Sequence, residues 1–325
     1  MTERFTGVHW MLATPFNDDE TIDLASIENL LEEARSSGCE GVVALGVTGE
    51  AARMTDQERT AVAKKVIDSA NGMPVTLGTT AAGTKSTIDY CVQAQEIGAA
   101  AVMVSAPSMG KPNLDSLLTH YERIAEAINI PIVVQDYPQT SGVQMPPAFF
   151  GRVVDTIPQA NYLKLEDPPT PTKITAIKDV IGDKMSIFGG LGGVFLLDEL
   201  RRGSSGAMTG FAYPEVLVSI CNYMYAGDIS SAESIFRKHL PAFLFEFQEG
   251  IGVAIRKQSL FERGLIKSPR VRHPGPQITS ATKTELIELL TSVGLRYTPQ
   301  SILYDLIALS QATLMGVSLK VPLKL

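Results

Sequence analysis

From the N-terminus to about residue 210 the chain repeats one phrase: a short apolar run, then a longer segment of helical period. The runs read as strands near His9–Ala13, Val42–Gly46, Pro74–Gly78, Ala101–Ser105, Ile130–Gln135, Tyr162–Leu165, Met185–Phe188 and Ala207–Gly210. Parallel strands covered by crossover helices produce this alternation. Between the runs, Leu24–Ser37, Asp56–Ala70, Thr87–Ile97 and Leu114–Ile128 carry Leu, Ile, Val or Ala at three- and four-residue intervals. Thr55 with Glu58 reads as a capping box opening the second helix. Gly38 and Gly98 suit left-handed helix ends. The 325 residues permit two ordinary domains or one α/β barrel, and eight strand–helix units select a single (β/α)8 barrel over about residues 1–225.

Beyond Pro214 the strand signals stop. Helices are predicted at Glu215–Ala226, Ser230–Glu249, Val253–Leu265, Lys283–Val293 and Pro299–Ala312, the last started by Thr298 and Pro299. The first completes the barrel, and residues 226–325 form a helical region packed on it, with Ser268–Gln277 as an internal loop.

Charge and composition exclude several classes. A formal net charge of -7 offers no positive field for a phosphate backbone, so no nucleic-acid partner is expected. No stretch approaches the roughly 18 uninterrupted apolar residues of a membrane span, and the first residues, with Glu3, Arg4 and His9, lack the apolar core of a secretion signal. Cys39, Cys91 and Cys221 lie far apart, and His9, His120, His239 and His273 show no ligand spacing, so neither disulfide nor metal is expected. A cytoplasmic protein fits.

In a barrel of this kind the C-terminal strand ends and the loops after them build the site. Lys164 lies in the middle of the sixth strand, where an unpaired ammonium is costly to bury. Either desolvation depresses its pKa toward neutrality, giving an amine that attacks a ketone, or it pairs with Glu166 on the same strand face. Spacing alone favours the ion pair. Gly46-Val-Thr-Gly-Glu50 offers amides and a hydroxyl that could hold a carboxylate, although such a turn often serves only to cap a helix. Asp136 and Glu166 could do acid/base work or make structural hydrogen bonds, and the glycines of Gly189-Gly-Leu-Gly-Gly193 could cradle a phosphate or keep a pocket open.

Several of these segments together carry a resemblance. They are Leu12-Ala-Thr-Pro-Phe16, Gly46-Val-Thr-Gly-Glu50, Ala106-Pro with Lys111-Pro, Pro131-Ile-Val-Val-Gln-Asp-Tyr-Pro138, Leu163-Lys164, Gly190 and Gly206-Ala-Met-Thr209. In this order the chain resembles the dihydrodipicolinate synthase/N-acetylneuraminate lyase family of class I aldolases. The resemblance implies that Lys164 forms a Schiff base with a pyruvate-like 2-oxo acid, that Thr48 and the amides of Val47 and Thr48 clamp its carboxylate, and that Gly190 and Met208 line the pyruvyl pocket. It also implies a homodimer or homotetramer and no diffusible cofactor.

The chain departs from that pattern where the synthase carries proton-relay hydroxyls. Val47 stands for the threonine before Thr48, Gln135 for the fifth-strand tyrosine, and Met109 near the tyrosine supplied across the dimer interface. Thr140 stands for the arginine that holds the second substrate. Synthase activity is therefore not expected, since none of the first three shuttles a proton as a hydroxyl does. Tyr137, two residues past Gln135, either replaces the relay phenol or is a rim aromatic. Met109 and Val47 lean the pocket toward an aldolase for an apolar aldehyde; a sugar-acid dehydratase and a binding barrel without turnover are the alternatives.

Overall fold

Each of the eight apolar runs is a strand, and each strand is hydrogen-bonded in parallel to its neighbours in sequence. They are β1 Gly7–Met11, β2 Gly41–Ala44, β3 Val75–Gly78, β4 Ala101–Ser105, β5 Ile132–Asp136, β6 Tyr162–Leu165, β7 Ser186–Gly189 and β8 Gly206–Ala207. β8 also pairs with β1, Gly7 opposite Gly206, which closes the sheet into a (β/α)8 barrel. The computed structural model describes residues 4–295.

The covering helices are α1 Ser26–Ser36, α2 Asp56–Ser69, α3 Thr84–Glu96, α4 Leu114–Ala125, a one-turn α5 Pro138–Ser141, α6 Pro147–Thr156, α7 Thr170–Ile181, α8 Leu196–Arg201 and α9 Pro214–Tyr225. The capping box at Thr55 is formed in both directions. Gly38 and Gly98 end α1 and α3 with φ of 80° and 95°. α3 begins three residues before the predicted start, because Gly83 holds the extended N-cap geometry and Thr84, though polar, follows it into the helix. α10 Ile229–Glu246, α11 Gly252–Glu262 and α12 Ser280–Ser292 follow, with the loop 268–277 between the last two. The predicted helix Pro299–Ala312 lies outside the described residues. Among the described residues no helix is long and apolar enough to cross a membrane.

Strand alternation divides the core in two. Outward residues such as Val42, Val104, Leu163 and Leu165 pack under the helices in one large cluster, while Met11, Val43, Met103, Val133, Tyr162, Phe188 and Met208 fill the barrel. The same alternation, continued toward the C-terminal strand ends, brings polar groups inward. Gln135 lies opposite Lys164 across the β5–β6 ladder. Parity and register thus set Gln135 and Lys164 side by side on the inner face at that end of the barrel.

Candidate active site

Lys164 is 3% exposed, and Leu163 and Leu165 on either side of it anchor the strand in the outer core. Its Nζ stands 3.0 Å from Glu166 Oε2 and donates to Met11 Sδ at 2.9 Å. Gln135 Nε2 donates to the same Oε2 at 2.7 Å. The amine is thus buried and paired with Glu166, the ion pair that strand spacing favoured. A carboxylate at 3.0 Å can take the proton that a lysine must lose before it attacks.

The group opens on a cavity of about 360 Å³ whose wall includes Lys164, Glu166, Thr48, Tyr137, Met11 and Arg256. Burial raises the Tyr137 phenol, with Glu166 and Glu249 adding to the rise and Arg256 opposing it. Gly190 does not face this cavity directly: a Cβ there would stand 2.3 Å from Glu166 Cγ, so the glycine leaves the space into which Glu166 packs. Met208 is wholly buried in the inner core, and Thr209 and Gly210 beyond it reach the cavity wall.

A second cavity, about 530 Å³, adjoins the first at Val47, which is 52% exposed and borders both. Gln135 and Thr140 line this second space. Thr140 is exposed, and its hydroxyl donates to the Tyr137 carbonyl at 3.1 Å. Met109, half-buried against the outer core, lines neither cavity. Asp136, on the opposite strand face from Gln135, points away from the site to Lys173 at 2.6 Å; burial holds its carboxyl up at about 6. Among the described residues no cluster of His, Cys, Asp or Glu could hold a metal.

Sequence reasoning missed Arg256 of α11, 7% exposed, which pairs with buried Glu246 and donates to Thr48 Oγ1 at 3.1 Å. A signal was there. Val253, Arg256, Lys257 and Leu260 share one face at helical spacing, so two cations occupy positions that would otherwise be core-facing apolar ones.

The comparisons agree with this architecture. The model of the dihydrodipicolinate synthetase family matches residues 4–293. An L-2-keto-3-deoxyarabonate dehydratase from Azospirillum brasilense is 30% identical over 293 residues, covering 89% of this chain and 94% of that protein. A 4-hydroxy-tetrahydrodipicolinate synthase from Methylococcus capsulatus is 28% identical over 286 residues, covering 87% and 97%. Among solved structures, the dihydrodipicolinate synthase from Rhodopseudomonas palustris superposes with a TM-score of 0.84 at 36% identity, covering 89% of this chain and 97% of that one. That of Acinetobacter baumannii, solved with pyruvate, gives 0.82 at 27% identity over 90% and 99%. With a matching barrel, a lysine on β6 and a family model spanning nearly all described residues, this chain belongs to the dihydrodipicolinate synthetase family.

Proposed function

We propose that the protein is a Schiff-base lyase in which Lys164 attacks the carbonyl carbon of a 2-oxo acid, and that its reaction is the dehydration of a 2-oxo-3-deoxy sugar acid. The observation that carries this reading is the carboxylate of Glu166, 3.0 Å from Nζ and held by Gln135. After water is lost from the carbinolamine, the iminium withdraws electrons from C3. Glu166 takes the C3 proton, and the C3–H pair forms the enamine. The enamine then expels the C4 hydroxyl, which takes the proton held by Glu166 and leaves as water. Hydrolysis of the imine returns Lys164. The name of the Azospirillum relative supports a dehydration.

Aldol cleavage or condensation is the second reading. It needs a group to move the proton of a C4 hydroxyl, and Tyr137 on the cavity wall favours it. Thr48 would hold the substrate carboxylate, while Val47 and Thr140 would border the second reactant. Met109 and Met208 would shape the site from behind. We further propose a cytoplasmic homodimer or homotetramer, in keeping with three buried, unpaired cysteines; sedimentation of a monomer at micromolar concentration would refute the assembly.

Incubation with pyruvate and then borohydride tests the common step. A carboxyethyl adduct on the peptide containing Lys164 is expected; an adduct that persists on another lysine in Lys164→Ala would overturn the reading. Supplied with a 2-oxo-3-deoxy sugar acid, a dehydratase releases a product lighter by one water, whereas an aldolase releases pyruvate and an aldehyde.

A further inference from the structure

We propose that Arg256, reaching the barrel mouth from α11, is a specificity-determining residue that holds the carboxylate of the 2-oxo acid jointly with Thr48. The inference rests on the Schiff-base reading only for the identity of the ligand. Four observations carry it. Arg256 lines the same cavity as Lys164. Its Nη1 donates to Thr48 Oγ1 at 3.1 Å, so that oxygen is already accepting and its own proton is left for an acceptor other than protein. No hydrogen bond from the Thr48 hydroxyl to protein is present among the described residues.

The third observation is that the approach is built. Gly210, just past β8, would with a Cβ meet Arg256 Nη1, the Met11 carbonyl and Thr48 Cγ2, each at 3.0 Å. A side chain there would crowd the guanidinium and Thr48 together, and glycine leaves them their spacing. The fourth is that the cation is fixed from behind. Glu246, 4% exposed, takes Nε and also accepts from the Ala212 amide, so the fork cannot swing away at low cost. A guanidinium has five N–H donors; one goes to Glu246 and one to Thr48, and donors remain for an anion.

The chemistry explains the choice of ligand. Val47 has no side-chain donor, so the turn after β2 brings one hydroxyl and backbone amides to a carboxylate but no charge of its own. Lys164 cannot supply the charge, because its nitrogen must become the imine. Arg256 stays charged through the reaction and offers a planar fork suited to carboxylate.

Pyruvate and hydroxyacetone, which share the ketone but not the carboxylate, distinguish this role from general damage to the site. Affinity would be read by titration calorimetry, and imine formation by the concentration that gives half-maximal borohydride trapping. Arg256→Met is expected to raise both values for pyruvate by about ten- to a hundredfold, the usual loss for a charge-assisted hydrogen bond, and to leave hydroxyacetone trapping unchanged. Because that variant leaves Glu246 without its cation, the pair Glu246→Gln with Arg256→Met serves as a second form with the same expectation. Pyruvate values within about twofold of wild type in either variant would overturn the inference, as would an equal loss for hydroxyacetone. If pyruvate binds in an Arg256-dependent way but is never trapped, the arginine's role stands and the Schiff-base reading falls.

Discussion

Among the described residues two lysines are buried beside glutamates, one on the wall of the cavity and one behind the loop that follows β2. Lys164 stands 3.0 Å from Glu166 and opens on a cavity. Lys257 of α11, with no exposed surface, stands 2.5 Å from Glu50. It also donates to the Arg270 carbonyl at 2.8 Å and lies 4.3 Å from the centre of the Phe16 ring. Burial pushes the Lys257 amine down to about 8, with Glu50 opposing the fall. If desolvation alone marked a nucleophile, Lys257 would qualify. It lines neither cavity, and its donors are taken by Glu50 and a carbonyl. The difference lies in what faces the nitrogen: for Lys164 a carboxylate, the weak acceptor Met11 Sδ and the cavity; for Lys257 a carboxylate, a backbone carbonyl and an aromatic ring.

Removing each lysine in turn should give opposite outcomes. Lys164→Ala should abolish turnover and trapping and leave the thermal midpoint near wild type, because Glu166 keeps Gln135 as a donor and borders the cavity; Lys164→Arg should be equally inactive, since a guanidinium cannot form the imine. Lys257→Met should do the reverse. With Glu50 left only Arg53 at 2.9 Å and the Arg272 amide, both on its other oxygen, stability should fall by about 1–3 kcal/mol in denaturant titrations. The protein that remains folded should still trap pyruvate. Trapping lost in Lys257→Met at a temperature where it is folded would erase the distinction.

Glu166→Gln separates the roles within the first pair. Turnover should drop by about a hundred- to ten-thousandfold, as for loss of a general base, while the imine still forms on long incubation. Stopped-flow rates and borohydride trapping on the same sample read both. Equal loss of the two would make Glu166 a partner of Lys164 only, with no part in moving the C3 proton.

A third buried glutamate pairs with no cation among the described residues. Glu199 of α8, 1% exposed, accepts from the Thr170 hydroxyl at 2.5 Å, and burial raises its carboxyl from 4.5 to about 7. Its folded-state pKa is the higher one, so between 4.5 and about 7 the native state keeps a proton that the unfolded chain releases. The stability this confers is complete below pH 4.5 and is lost as pH rises to about 7. Glu199→Gln should therefore match wild type near pH 5 more closely than at pH 8. At pH 8 it should be the more stable by up to about 3 kcal/mol. Unfolding curves at the two pH values check the sign.

Much of this site was legible because strand parity is strict. Once β6 is placed, Lys164 and Glu166 must share a face, and Gln135 follows from the β5 alignment. The strands themselves were legible as apolar runs, although β8 is only Gly206–Ala207, shorter than the run that announced it. The limits of α3 were less so, since its first turn is polar and set by the glycine before it. Arg256 was out of reach for a different reason. Its partner Thr48 lies 208 residues earlier, and no local pattern connects a tail helix to a turn after the second strand. Only the misplaced charges on the α11 apolar face hinted that something distant must receive them.

That pairing of neighbours on α11 bears on how such enzymes can be recombined. Arg256 grips Thr48 and the next residue, Lys257, grips Glu50, so one turn of a late helix clasps one short loop at two points. A chimera that joined this barrel to a relative's tail would retain all eight strands and its lysine, yet would inherit the donor's grip on that loop. Substrate preference should therefore travel with the tail in such exchanges.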